Sequence, residues 1–491
     1  MKYIGPFFRT NNLSKEDISS QLFHFSKESV KSLVFNSRCG ICFSSKNAKS
    51  SSYTNDISTL SNFSPLLCIY RKSSPIFIHN KISRGFDEST FKKEVFPATN
   101  ALMTICLLEL NDYYSNYLNK DKKLSSLSRA YINLSKMQLE FYSKNLRNND
   151  GVFIKKKNIS DLSSKNYNLI NLDKKFDFLD QAFMMNAYYI YSKITLNDEE
   201  KKEYDNFALQ ILDMFIEYKD KLYDLSFSDG CKLLVALNLF YKYSKIEKCK
   251  TLIIDYTDYL IVKFDDKNYY INSIDSCSIF AICLKDSYKH TQIINFLDKS
   301  NEITEKLKDL FNEDINIFSK LSDKKEVKYS SFDICFYILA LLLDTNDNRS
   351  SIGYKNMCSH LYRKLIVNSG LVTSFPEAPT LDDAERYKNS SMKSEDMFEE
   401  SFFRIDNTKS PDQIGIAPIF VKNIVYSKKK NSFSCSKNTF DSGKNMFINF
   451  MFIHYLKDLI ISRMEFTKDT QKIVDDSNKK DKKNSSKESS T

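Results

Sequence analysis

The chain has 491 residues, 42% hydrophobic and 27% charged, a composition that excludes disorder over most of its length. Its short lysine clusters lack interleaved aromatic residues, so despite a net charge of +10 we expect no nucleic-acid partner. The sequence shows no secretory signal and no apolar run close to the roughly 20 residues that span a bilayer, which predicts a cytoplasmic protein without a membrane partner.

The first 90 residues differ from the rest and are predicted to form a separate segment that packs on the main domain. The stretch LSKEDISSQLFHFSKESVKSLVFNS predicts one helix, which opens with a capping box between Ser14 and Asp17. A serine-rich loop follows, and LLCIYRKSSPIFIH then predicts a β-hairpin that turns at KSSP.

The main domain, residues 91–465, is predicted to consist of paired helices of two kinds. Helices of the first kind, here called inner helices, are apolar on nearly every face, whereas the outer helices have one apolar face. Glycine and proline are scarce, with 9 and 8 residues, which favours long helices. The predicted inner and outer helices alternate as 93–118 and 124–146, 178–195 and 199–222, 230–244 and 248–265, 276–286 and 290–312, 333–344 and 352–369, with a last inner helix at 442–463.

A helix that is apolar on every face must be covered on every face, which limits how these pairs assemble. Stacked hairpins can form an open superhelix or a closed ring, but in an open superhelix both layers usually keep a polar face. The sequence therefore predicts an all-α fold, an (α/α)6 toroid. Residues 466–491 are polar and lysine-rich, which predicts a disordered tail.

Four predicted inner helices open with an aspartate: Asp180, Asp229, Asp275 and Asp333. An aspartate before a helical run can accept hydrogen bonds from the first turn and meets the positive end of the helix dipole, so all four are predicted N-caps. Asp180 differs because a second acid, Asp177, precedes it. It is therefore also a candidate catalytic acid.

The cysteines do not frame loops, which predicts reduced thiols rather than disulfides. Cys231, Cys277 and Cys335 follow three of the helix-opening aspartates, but no histidine accompanies them, so a thiolate metal site is disfavoured. Cys39 and Cys42 form a CxxC pair without a second pair, which is weak evidence for zinc or redox chemistry. We predict no metal and no cofactor.

The long connections all precede inner helices, so they are predicted to lie on one face, the mouth of the ring. The longest runs from Gly370 to Asp441, far beyond the roughly 4–6 residues of ordinary connections, and such loops are usually functional or disordered. Its polar residues are predicted to face the mouth: Glu377, Asp382, Asp383, Glu385, Arg386, Tyr387 and Arg404.

Alternating hairpins with the similar turns NDGVF and NSGLV resemble the six-hairpin glycosidase superfamily over about residues 91–463. The resemblance implies an oligosaccharide or other glycan as the partner, with paired carboxylates as acid and base, for which Asp180, Glu377 and Asp383 are the candidates. The chain has no Trp, so sugar stacking would fall to tyrosines. The implied binding residues are Asp177, Tyr223, Tyr269, Tyr270, Glu385, Arg386, Tyr387 and Arg404.

A different class of function remains open from the sequence. The ring mouth or the N-terminal segment could bind a protein or peptide, which would make the chain a non-catalytic helical scaffold. A close set of carboxylates in a deep mouth would favour the enzyme, and a shallow or plugged mouth the scaffold.

Overall fold

The structure of the protein is a computed structural model, and it describes residues 14–43, 64–71, 91–116, 122–160, 167–173, 175–267, 269, 273–322, 324–344, 352–376, 418–435 and 440–462, with the backbone of 3–4 and 8–9. Among these residues, no helix combines the length and apolarity that crossing a membrane requires.

The elements of the described residues follow one another in a regular order. The helices are α1 (Lys15–Asn36), α2 (Pro97–Ser115), α3 (Lys122–Asn145), α4 (Phe178–Ile194), α5 (Asp198–Glu217), α6 (Lys219–Leu222), α7 (Phe227–Ser244), α8 (Glu247–Asp265), α9 (Ile274–Thr291), α10 (Ile294–Lys308), α11 (Ser331–Leu342), α12 (Ile352–Leu361, extended by a π-helical turn, Tyr362–Val367) and α13 (442–462). The strands are β1 (Tyr3–Ile4), β2 (Phe8–Arg9), β3 (Gly40–Cys42), β4 (Leu66–Ile69), β5 (Glu94–Val95), β6 (Lys156–Asn158), β7 (Leu169–Asn171), β8 (Phe311–Asn312), β9 (Ile317–Phe318), β10 (Glu326–Ser330), β11 (Asn423–Ser427) and β12 (Ser432–Ser434).

The inner helices close into a ring. α2 packs on α4, α4 on α7, α7 on α9 and α9 on α11. Phe332 and Phe336 of α11 then pack on Phe447 of α13, with ring centroids 5.7 and 5.5 Å apart. α13 returns to α2, where Lys457 Nζ lies 2.6 Å from Glu109 Oε2. The predicted fold class, an (α/α)6 toroid, is therefore confirmed.

α1 lies in the outer layer, next to the place where the last inner helix, α13, meets the first, α2. It packs on α2, α11 and α12. The Oγ of Ser29 in α1 accepts a hydrogen bond of 3.1 Å from Asn449 Nδ2 in α13, and Phe23 packs edge-on against Tyr113 of α2. The two ends of the chain thus supply the sixth helix pair. The division of the chain at residue 91 stays a prediction.

The interior of the ring is filled with aromatic side chains. Phe183 of α4 lies 6.0 Å from Phe447 and 6.3 Å from Phe450 of α13, measured between ring centroids. Because α2 separates α4 from α13 in the ring, these side chains meet inside it.

The strands form short antiparallel sheets: β1-β2, β3-β4, β5-β6-β7, β8-β9 and β10-β11-β12. β4 pairs with β3. The second strand of the predicted hairpin lies outside the described residues, so the hairpin stays a prediction. The turns NDGVF and NSGLV are alike as predicted, since Gly151 (φ +85°) and Gly370 (φ +76°) both adopt the left-handed backbone that glycine tolerates.

Candidate functional site

The helix-opening aspartates lie within the first turns rather than at the N-caps. Ser226 and Ser330 are the N-caps of α7 and α11, and Asp229 and Asp333 follow three residues later. In α11 the pairing is reciprocal, because Asp333 accepts the N–H of Ser330 (2.7 Å) and Ser330 Oγ accepts the N–H of Asp333 (3.1 Å). The predicted N-cap position was wrong by one turn, since Ser-x-x-Asp is a capping box in which the serine is the cap.

Asp180 caps a helix to which it does not belong. The N-cap of its own helix, α4, is Asp177, whose Oδ1 accepts the N–H of Leu179 (2.9 Å). Asp180 Oδ1 instead accepts the N–H of Ala98 (2.7 Å) in the first turn of α2. The N-cap of α2, Phe96, has no side chain that can accept this bond, so Asp180 replaces the missing cap.

The second oxygen of Asp180 is buried without a hydrogen-bond partner among the described residues. Asp180 is 2% exposed. Burial, and then the nearby carboxylate of Asp177, raise the pKa of Asp180 to about 7. Near neutral pH the carboxyl group is therefore protonated in a large share of molecules. Since Oδ1 already accepts from Ala98, Oδ2 is the oxygen that can carry this proton.

Cationic groups lie beside Asp177 and on the ring of Phe96, the N-cap residue of α2. Lys155 Nζ lies 3.4 Å from Asp177 Oδ2 and 5.2 Å from the centre of the Phe96 ring. The guanidinium carbon of Arg71 lies 4.4 Å from the same ring centre. Asp177 therefore has a direct counter-ion, whereas Asp180 has no lysine or arginine within 4.0 Å among the described residues. The two acids thus have different environments within one helical turn.

Several predicted site residues have packing partners in the structure. Tyr223 donates its hydroxyl to Asp255 Oδ2 (2.9 Å) of α8, and Tyr269 stacks on Phe227 with ring centroids 4.2 Å apart. These contacts account for both side chains without a ligand, and their sugar-binding role stays a prediction. The remaining predicted residues lie outside the described residues: Tyr270, Glu377, Asp382, Asp383, Glu385, Arg386, Tyr387 and Arg404.

No disulfide bond joins two cysteines of the described residues. Cys231, Cys277 and Cys335 are fully buried in α7, α9 and α11, and burial raises the pKa of each thiol. Within the part of the chain that the structure describes, no three His, Cys, Asp or Glu side chains come together as a metal ion would require.

A second charged cluster, at the opposite end of the ring, was missed in the sequence. Glu109 of α2 has a fully buried side chain, and its carboxylate contacts Lys457 Nζ (2.6 Å), His454 Nδ1 (2.9 Å) and the hydroxyl of Tyr243 (2.8 Å). Burial alone would raise the pKa of Glu109, but Lys457 and His454 hold it well below its usual range. One acid within the apolar run NALMTICLLEL was the available signal.

No protein-family model and no curated protein matches this chain. The solved structures that resemble it include a sugar epimerase from a ruminal bacterium (11% identity, 60% of this chain, 78% of that chain, TM-score 0.38) and a GH76 alpha-mannanase from Bacteroides thetaiotaomicron (10% identity, 90% of this chain, 96% of that chain, TM-score 0.43). At these values neither bears on the chemistry of this chain. The closed ring of helix pairs itself matches the predicted resemblance to six-hairpin glycosidases at the level of architecture.

Proposed function

We propose that the protein is a carbohydrate-active enzyme in which Asp180 donates a proton to the departing oxygen of a glycosidic bond. One observation carries the proposal: a buried carboxyl group with a pKa of about 7 has an oxygen without a partner, beside a second acid that has a counter-ion. A buried carboxyl group whose pKa is raised towards neutral pH is typical of a general acid.

The reaction requires a second carboxylate. Asp180 would protonate the glycosidic oxygen as its bond to the anomeric carbon breaks, and the oxygen of a water molecule would join that carbon. A proton of this water passes to the second carboxylate and then to solvent, while Asp180 regains a proton. For the second carboxylate we propose Glu377 or Asp383, as the sequence predicts.

The alternative, a scaffold that binds a protein or peptide, is favoured by an apolar surface on the hairpin before α4. The side chains of Ile159, Tyr167, Ile170, Leu172 and Phe176 are 49%, 43%, 44%, 39% and 36% exposed. Exposed apolar patches are typical of protein-binding surfaces, and these five side chains are neighbours in the chain. This surface accounts for binding but gives no reason for the buried, partnerless carboxyl oxygen of Asp180.

The test is hydrolysis of a panel of oligosaccharides by the wild type, Asp180→Asn and Asp229→Asn. Loss of a positioned general acid typically lowers the rate by about 10²–10⁴-fold, which we expect for kcat of Asp180→Asn. Asp229→Asn is the matched control, because Asp229 occupies the same helical position in α7 but pairs with Lys232 (2.9 Å). A panel without turnover, or an Asp180→Asn variant as active as the wild type, would contradict the proposal.

A further inference from the structure

The antiparallel pair of strands β6 and β7 has one buried face and one exposed face. Lys156 and Asn158 of β6 are buried, and Asn158 Nδ2 donates to the hydroxyl of Tyr70 (2.7 Å). Side chains alternate between the two faces along a strand, so Lys157 and Ile159 point the other way. Both of these side chains are exposed, which agrees with this alternation.

Three apolar side chains share the exposed face. Ile170 of β7 is opposite Lys157, and residues opposite each other in an antiparallel pair project to the same face. Main-chain hydrogen bonds extend the pairing beyond the strands to the N–H groups of Ile159 (3.0 Å) and Leu172 (2.8 Å). Ile159, Ile170 and Leu172, here called the apolar face, therefore lie on the same side, and all three are exposed.

The apolar face borders the candidate acids. Leu172 lies opposite Lys155, whose carbonyl accepts the N–H of Leu172 (2.8 Å). The side chain of Lys155 reaches the start of α4, where its Nζ lies 3.4 Å from Asp177 Oδ2. Asp177 is the N-cap of this helix, and Asp180 lies in its first turn. A single lysine side chain thus spans the distance between the apolar face and the first turn that carries both acids.

The size of the apolar face limits what can cover it. The other exposed aromatic residues of this segment have packing partners of their own: Tyr167 packs edge-on against Phe141 and Phe176 against Phe178, with ring centroids 5.9 and 5.2 Å apart. A stable protein interface takes in about 20–30 residues on each side, far more than this face offers. A hydrocarbon group of a small molecule matches its area better, since sites for small molecules are mostly apolar with few polar groups.

We propose that the substrate is a glycoside with an apolar aglycone, the group that the glycosidic oxygen joins to the sugar. This subsite rests on the proposed function. The sugar reaches Asp180, and the hydrocarbon part of the aglycone lies on Ile159, Ile170 and Leu172. The methylene groups of Lys157 extend the face, because a lysine can cover apolar surface while its ammonium stays in water. The contact removes apolar surface of both partners from water, which supplies the affinity.

The test compares the methyl and hexyl glycosides of glucose, mannose and galactose, each as the α and the β anomer. Burial of one methylene group strengthens binding by up to about 4-fold, so KM of the wild type should be about 10-fold or more lower for the hexyl glycoside. We expect kcat to change little, because methanol and hexanol are similar leaving groups and the chain is covered before and during the reaction.

The double variant Ile170→Asn/Leu172→Asn should lose most of the difference between the hexyl and methyl glycosides, with KM for the methyl glycoside unchanged. Leu321→Asn is the matched control, because Leu321 is an exposed leucine in the connection between β9 and β10. Substitutions of exposed side chains usually change stability little, and thermal unfolding of each variant checks that it is folded.

Calorimetric titration of Asp180→Asn with the same glycosides measures binding without turnover. If the hexyl glycoside binds about 10-fold or more tightly than the methyl glycoside but the wild type hydrolyses neither, the proposed enzyme fails and the apolar face stands as a binding site. If both are hydrolysed with equal KM, the enzyme stands and the aglycone subsite is overturned. Equal affinity in the titration would also overturn the subsite and leave the apolar face to a protein partner.

Discussion

Asp180→Asn is expected to stabilise the protein at pH 8 by about 4 kcal/mol, and this gain should vanish below about pH 4. The asparagine keeps the side-chain oxygen that accepts from Ala98 and removes a charge that burial opposes. A gain of stability on loss of an acid is typical of residues that are retained for function. Urea unfolding of the wild type and the variant across this pH range measures it.

The direction of this stability change follows from the pKa of Asp180, which burial raises from 3.8 to about 7 in the folded protein. Between these values the unfolded chain has released the proton and the native chain has kept it. The stability of the wild type therefore falls as the pH rises from about 4 to about 7, and each tenfold change in proton affinity corresponds to about 1.4 kcal/mol. Asparagine does not titrate, so the two stability curves should diverge through this range.

Asp229→Asn is the control for this prediction. Burial acts to raise the pKa of Asp229, but Lys232, the hydroxyl of Ser226 and Lys155 together lower it, so ionisation of Asp229 favours the native state. The substitution should therefore not stabilise the protein at any pH. Wild-type and Asp180→Asn stabilities that remain parallel from pH 4 to 8 would contradict the prediction for Asp180.

Glu109→Gln is expected to lower the free energy of unfolding by about 3–5 kcal/mol, the usual effect of removing one partner from a buried ion pair. Lys457 is 2% exposed, and it would retain Asp112 (2.6 Å), itself 58% exposed, as its carboxylate partner. Glu109 lies on α2 and Lys457 on α13, so the substitution removes an ion pair that joins the first and last inner helices. Chemical denaturation at pH 7 measures it.

Asp458→Asn provides the comparison on the same helix. Asp458 is 67% exposed and lies 3.5 Å from Lys242, so its removal should change stability by less than about 1 kcal/mol. The double variant Glu109→Gln/Lys457→Met should recover part of the loss, because it removes the charge that the single variant leaves buried. Equal effects of Glu109→Gln and Asp458→Asn would show that the buried cluster does not secure the closure.

The sequence predicts the ring because its inner helices are apolar on all faces, a pattern that closure alone buries fully. It does not identify α1 as an outer helix of the ring. Buried polar residues such as Ser20 and Gln21 interrupt the single apolar stripe that marks the other outer helices. The position of α1 on the ring depends on its contacts with α13, at the other end of the chain.

The candidate site was partly visible in the sequence. Asp180 stands out because Asp177 precedes it, yet its bond to Ala98 depends on how α2 and α4 meet. Glu109 reads as an isolated charge in an apolar helix. Its partners, Lys457, His454 and Tyr243, lie on helices that are distant in the chain, and no local sequence pattern records such contacts.

The most direct test of the central claim compares two leaving groups. Asp180→Asn should hydrolyse an oligosaccharide about 10²–10⁴-fold more slowly than the wild type, because the departing alcohol needs the proton of Asp180. It should hydrolyse the dinitrophenyl glycoside of the same sugar nearly as fast as the wild type, since dinitrophenolate departs without protonation. Equal loss with both substrates, or no loss with either, would contradict the role of Asp180 as the proton donor.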